Sequence, residues 1–238
     1  MKGREQKLKR WWDYCIKMKI VNTLYKKVVW GYFDKREKKR ARAALKNRDF
    51  TIICSNCAAG ALYHKVGLRF DTPTINTFMD KKEFCQFAAD LPYYLEQDLR
   101  FYKKSDRDCP CAYLGDGKKR ITVEFVHYAT EEEARLKWEE RKARIHWDNL
   151  YIMTCDSSTT SLEDFELLNT VKCKRKVIFL SKENDLIKDS FVLRRMWKSP
   201  SAERMQLSRN KYTGLRSWET EFDYVEWLNG GSNLRRQF

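Results

Sequence analysis

"TIICSNCAAGALYHKVG", residues Thr51 to Gly67, decides how the rest of the chain is read. Thr51–Cys54 is a short apolar run that reads as a buried strand. Ser55-Asn56-Cys57 turns the chain, and Ala58 to Gly67 reads as a helix closed by a C-terminal glycine. A strand passing directly into a helix opens a βαβ unit, so the first expectation is a parallel sheet.

Downstream the same grammar recurs. "DTPTIN" (71–76) is extended or turned around Pro73, and "DKKEFCQFAADLPYYLEQDL" (80–99) reads as helical with Asp80 as N-cap. "SDRDCPCAYLGDGKK" (105–119) is loop-like, with a turn signal at Asp116-Gly117. "RITVEFVHY" (120–128) is a strand by alternation and β-branching, and "TEEEARLKWEERKARI" (130–145) a helix whose Thr130 and Glu133 form a capping box. "NLYIMTCD" (149–156) reads as a strand, "SLEDFELLNTV" (161–171) as a helix with a second box at Ser161 and Asp164, and "KRKVIFLS" (174–181) as a strand. After Asp189 a basic, Ser-rich span leads to a short helix, "FDYVEWLN", closed by Gly230-Gly231. The expected class is α/β: a mostly parallel sheet with helices on both faces, preceded by a basic helical arm. The arm is residues 1–48 and the domain residues 49–238.

Charge marks that boundary. Residues 1–48 hold 17 Lys/Arg against 4 Asp/Glu, whereas the remaining residues hold 31 against 29. In the arm Trp12, Ile16, Ile20, Leu24, Val28 and Tyr32 recur near helical spacing with lysines between them, and Gly31 is a point for a break or kink. Such a helix fits an anionic membrane surface, and equally a helix packed on the domain with a solvated basic face. No zinc-finger or RNP-like motif is present, so nucleic acid is not expected as a partner. Neither a cleavable signal peptide nor a membrane-spanning run is expected, and the eight cysteines read as reduced thiols in a cytoplasm.

The carboxyl ends of parallel strands line one edge, where ligands bind in open α/β sheets. Ser55, Asn56 and Cys57 follow the first strand, His127 and Tyr128 close the second, Asp156 and Ser157 follow the third, and Ser181 and Lys182 the fourth. A thiol, an imidazole and a carboxylate on one edge are the set for acyl transfer. Cys57 is the nucleophile, at a helix N-terminus whose N–H groups lower a thiol pKa; His127 is the base and Asp156 the orienting acid. A small buried core thiol is the plain alternative for Cys57, and a hydrogen-bonded structural role the plain alternative for His127. Cys54 and Cys57 also form a C-x-x-C, which reads as a redox pair or, with Cys109 and Cys111, as a four-thiolate zinc site. Glycine-rich phosphate loops are absent, and neither a cofactor nor a metal is expected.

"SNCAAGALYHKVGLRFDTPTIN", "FVHYATEEEARLKWEERKARIHWDNLYIM" and "FDYVEWLN" resemble a bacterial family of uncharacterised domains that recurs among exopolysaccharide and capsule biosynthesis proteins. The resemblance runs from about Phe50 to Asn229 and leaves the arm outside. It implies a role in making or decorating cell-surface polysaccharide, with Asn56, Cys57, His127, Asp148 and Asn149 as matched site positions. The expected function is therefore a Cys-His-dependent acyltransferase acting on a polysaccharide precursor, held at the inner membrane face by its arm, with an activated sugar or acyl donor as partner. The alternatives are a glycosyl or nucleotide-sugar transferase binding its donor through Asp156, Ser157 and Lys182, and a non-catalytic scaffold recruited to the membrane.

Overall fold

A computed structural model describes residue 18 and residues 21–236 of the chain. Trp12, Ile16 and Ile20 of the arm lie outside the described residues.

Four strands form a parallel sheet in the order β1 (Thr51–Cys54), β5 (Leu150–Cys155), β6 (Arg175–Leu180) and β7 (Ser190–Val192). Their side chains alternate between two cores, as strand geometry requires. Ile52, Cys54, Tyr151, Met153, Val177 and Phe179 face one core with helix α2 (Ala58–Val66) and the C-terminal Trp218, Tyr224 and Trp227. Ile53, Ile152, Ile178 and Leu180 face the other, which holds helices α3 (Lys81–Ala89), α4 (Leu91–Glu96), α5 (Glu131–Lys142) and α6 (Leu162–Leu167). Helices on both faces bury β1 and β5 completely and most of β6, which explains their near-continuous apolar reading. Ala58 and Ala59 bring α2 close to the sheet, and Gly67 closes it at φ +73°. Asp80, Thr130 and Ser161 cap their helices through side-chain oxygens, as their positions predicted.

The second expected strand does not belong to this sheet. Residues Ile121–Glu124 form β4 of a separate antiparallel sheet, in the order β2 (Arg100–Tyr102), β3 (Cys111–Leu114), β4. The reason is the connection: β3 and β4 are joined by a short turn with Gly115 at φ +71° and Gly117 at φ +53°, and a parallel pair requires a long crossover. The turn read at Asp116-Gly117 is real, but the loop read before it contains a strand. Ala112, Leu114, Ile121 and Val123 face the second core, and Tyr102 stacks on Tyr113 outside at 4.0 Å between ring centroids.

The arm ends in helix α1 (Gly31–Ala44), which packs on α2. Gly31 does not break it: the helical pitch widens instead over the π-helical Lys26–Trp30 immediately before. Glu37 is buried and accepts from Tyr224 Oη at 2.5 Å, Arg236 Nη2 at 2.6 Å and Arg40 Nη2 at 3.0 Å. Lys65 of α2 pairs with Asp34 at 2.6 Å and with buried Glu219 at 3.3 Å. Arm and domain therefore share a core and an ion network from Asp34 onward. Val21, Leu24 and Val28 remain exposed ahead of α1.

Candidate functional site

Beyond β1 the chain is laced to the antiparallel sheet by the strap 71–79. Ser55 accepts Met79 N–H on its carbonyl (3.1 Å) and Thr154 Oγ1 on its hydroxyl (3.0 Å). One residue earlier in the strap, Phe78 exchanges both backbone hydrogen bonds with Glu124 of β4, at 2.8 and 2.9 Å. Tyr128 donates to the Ile75 carbonyl at 2.9 Å and accepts from Arg141 Nη1. These bonds carry the Val126-His127 turn to the carboxyl edge of the parallel sheet. The span 203–216 supplies the facing wall. A cleft of about 680 Å³ results, lined by Asn56, Cys57 and His127 together with Thr77, Phe78 and residues of that span.

Asn56 builds the turn into α2. Its Oδ1 accepts from Ala58 N–H at 2.9 Å, the Asx-turn geometry that short amides favour, and from Gln206 Nε2 of the facing wall at 3.1 Å. Its Nδ2 points inward to Cys155 Sγ at 3.8 Å. Cys57 follows as the N-cap of α2 and is half-buried on the cleft wall. Burial pushes its thiol above the ordinary value, with the Arg216 guanidinium pulling the other way. The depression expected from the helix N-terminus is not found, because desolvation disfavours the thiolate more than nearby positive charge favours it.

The cleft is rich in arginine. Arg107 pairs with Glu124 at 2.9 Å, while Lys104 takes the other oxygen of that carboxylate at 2.7 Å. Arg209 and Arg216 stand opposite each other across a backbone bridge. Arg216 reaches buried Glu219 at 3.3 Å through Nη1, yet its Nε is buried without a hydrogen-bond partner among the described residues. Thr77 Oγ1, fully buried, is likewise without one.

The structure thus brings Asn56, Cys57 and His127 together and leaves the other expected residues elsewhere. Asp156 accepts Ala202 N–H and anchors the start of the Glu203–Gln206 turn, and no hydrogen bond joins it to His127 among the described residues. Burial raises its carboxyl above the usual range. Ser157 bonds Thr159 and Thr160 within its own loop at 2.9 and 2.7 Å, and Lys182 is exposed after β6. Tyr128 and Ser55 are buried braces. Asp148 is exposed at the opposite, amino edge, where Asn149 donates to Asn47 Oδ1 and the Asp49 carbonyl, both at 2.7 Å.

Cys54 is fully buried, donates to Asn56 Oδ1 at 3.6 Å and has its thiol pushed up to about 11 by burial, the opposite of the accessible, low-pKa thiol that a redox pair uses. Among the described residues no three His, Cys, Asp or Glu side chains are grouped to hold a metal, so the four-thiolate alternative has no cluster behind it.

Sequence reasoning did not reach Thr77, Arg107, Arg204, Arg209 and Arg216. The last three come from the basic span after Asp189, where charge was legible but periodicity was not. Thr77 sits between the turn at 73–76 and the bridge at Phe78, where only the packing defines the side-chain direction.

A domain of unknown function, DUF1919, matches residues 28–229, so the match begins inside the arm and takes in α1. An uncharacterized protein of Haemophilus influenzae is 28% identical over 185 residues, covering 78% of this chain and 86% of its own length. Neither description states a reaction or a substrate.

Proposed function

The chain belongs to the DUF1919 family, and on that membership and its cleft we propose that it is a transferase of cell-surface polysaccharide biosynthesis, transferring an acyl group through Cys57. The polysaccharide setting rests on the motif resemblance. The chemistry rests on one observation: a thiol and an imidazole from distant parts of the chain, Cys57 and His127, line the same cleft at the carboxyl edge of a parallel sheet.

Because burial pushes the Cys57 thiol above its ordinary value, the sulfur attacks with a base at hand rather than as a standing thiolate. The carbon–sulfur bond forms as His127 takes the proton, and the donor's leaving group departs with it. An acceptor hydroxyl then attacks the thioester and gives its proton to His127, which passes it to the Cys57 sulfur as the carbon–sulfur bond breaks. Asp156 has no part in this step and positions the 203–206 wall instead. The arm supports a membrane location: Val21, Leu24 and Val28 are exposed beside Lys26 and Lys27, a pattern suited to an anionic lipid face. No helix among the described residues is long and apolar enough to cross a membrane.

Intact mass spectrometry after incubation with a short-chain acyl thioester tests the reading. A single adduct, absent in Cys57→Ala and formed at least about a hundredfold more slowly in His127→Ala, is the expected result. Equal labelling of Cys57→Ala would exclude the covalent route.

A further inference from the structure

We infer that this cleft is a phosphate site, in which Arg107, Arg204, Arg209 and Arg216 surround the phosphoryl group of the precursor and the Thr77 hydroxyl donates to one of its oxygens. The inference rests on the cleft being the site proposed above, but not on the chemistry assigned to Cys57.

Charge comes first. Four arginines line the cleft against two glutamates, Glu124 and Glu203, and Glu124 is already shared between Arg107 and Lys104. Two positive charges are left over, which a phosphoryl dianion matches and a single carboxylate does not. Arg204 and Arg209 carry no ion pair among the described residues. Lys81 adds to this from behind: it is fully buried, with Nζ 4.3 Å from the centroid of the Phe78 ring in the cleft wall.

Geometry comes second. The bridge pairs Arg209 with Arg216 across the strand-like turn, and like charges on directly paired residues disfavour each other, although Arg216 Nη1 is turned to Glu219 at 3.3 Å. Burial, with Arg216 next, holds Arg209 below its usual value. The loop that joins them is braced. Arg209 Nη1 donates to the Gly214 carbonyl at 2.7 Å, Asn210 and Leu215 are bonded at 2.8 Å, and the arm clamps the loop from outside. Trp30 Nε1 donates to the Lys211 carbonyl at 3.2 Å and Tyr25 Oη to the Tyr212 carbonyl at 3.1 Å. Gly214, at φ +71°, lies so close to Trp30 that a Cβ would fall 2.4 Å from the ring. Like charges held together by a braced loop are a preorganised anion receptor.

The unmet hydrogen bonds come third. Buried polar atoms are nearly always paired. Of the five buried side-chain atoms without partners among the described residues, three are tryptophan indole N–H groups of the cores, and the other two, Thr77 Oγ1 and Arg216 Nε, belong to residues that line this cleft. A phosphoryl group has oxygens enough to accept from both, and guanidinium donors match it well.

Calorimetric titration of the full chain with sodium pyrophosphate, uridine diphosphate and geranyl diphosphate is the test. All three are expected to bind at one site, more weakly as salt is raised. Arg209→Ala and Arg216→Lys should each weaken pyrophosphate about tenfold or more, and Thr77→Val about three- to tenfold. Thr77→Val keeps the side-chain shape, so it reads the site even where an arginine variant folds poorly. Preference for uridine over geranyl diphosphate identifies a nucleotide-borne phosphate, and the reverse a lipid-borne one. Absence of pyrophosphate binding, or binding unchanged in both Arg209→Ala and Thr77→Val, overturns the inference. Cys57→Ala separates the two readings: it should abolish the acyl adduct and leave pyrophosphate affinity intact.

Discussion

The two ends of the parallel sheet are both polar, and they differ in whether the polar groups are satisfied. At the amino end, where α1 joins the domain, Asn47 Nδ2 reaches Tyr151 Oη at 3.0 Å and the Leu228 carbonyl at 2.9 Å, and Asn229 accepts from the Lys46 and Asn47 amides at 2.8 and 3.2 Å. Asp71 collects Arg69, Arg144 and His146 at 2.9, 3.0 and 3.4 Å. At the carboxyl end Thr77 Oγ1 and Arg216 Nε have no partner among the described residues, and Arg209 and Arg216 are paired across one backbone bridge. A closed network lowers the energy of the folded chain by itself, whereas an open one does so only when something binds. Polarity alone would have ranked both ends as sites; satisfaction of the hydroxyl, amide and charged groups separates them, while the Trp227 indole N–H beside Tyr151 at the amino end is also without a partner among the described residues.

The largest effect is expected where the closed side is broken. Glu37→Ala removes the carboxylate that Arg236 Nη2 and Tyr224 Oη donate to beneath α1 and should cost about 3 kcal/mol in urea unfolding. Burial pushes the Glu37 carboxyl up, but hydrogen bonds from Arg40, Tyr224 and Arg236 outweigh it and hold the group below its ordinary 4.5. Its folded value is depressed, so its contribution is complete above that ordinary range. It is lost as pH falls through the lower folded value. Wild type should therefore lose stability below about pH 4.5 more steeply than Glu37→Gln. A flat comparison of the two proteins down to acid pH would remove this network as a stabilising element.

Asn149→Ala is the intermediate case. It removes two 2.7 Å hydrogen bonds that tie the linker at Asn47 and Asp49 to the sheet, at about 2 kcal/mol, with pyrophosphate affinity unchanged. A loss of affinity without a loss of stability would reassign Asn149 from brace to site. The smallest effect, and opposite in sign, belongs to the open side. Thr77→Val removes a buried hydroxyl that has no partner, so the unliganded protein should gain up to about 1 kcal/mol while losing ligand affinity. Destabilisation by this variant would mean that the hydroxyl is paired in solution and that the two ends are alike.

Most of the fold was legible because each piece carries its own local signal. Capping residues at Asp80, Thr130 and Ser161, the glycine after α2 and the unbroken apolar runs of β1, β5 and β6 depend only on neighbours in sequence. The antiparallel sheet was not legible: β3 is four residues between Pro110 and Gly115, and it becomes a strand through its pairing with β4 and the stacking of Tyr113 on Tyr102. Of the site, Asn56, Cys57 and His127 were chosen from the sequence. His127 was placed on the right edge for the wrong reason, since β4 never enters the parallel sheet.

By itself the sequence determined the alternation of strands and helices, the basic arm and the turn at Asn56-Cys57, because hydrophobic period, charge and capping act over a few residues. Tertiary structure alone decided that Asp156 serves the wall and not His127, that α1 shares the domain's ion network, and that arginines from a featureless basic span face the thiol. Those outcomes depend on which segments meet in space, through the strap at Phe78 and Met79 and the loop braced by Trp30. No local rule of sequence encodes such meetings.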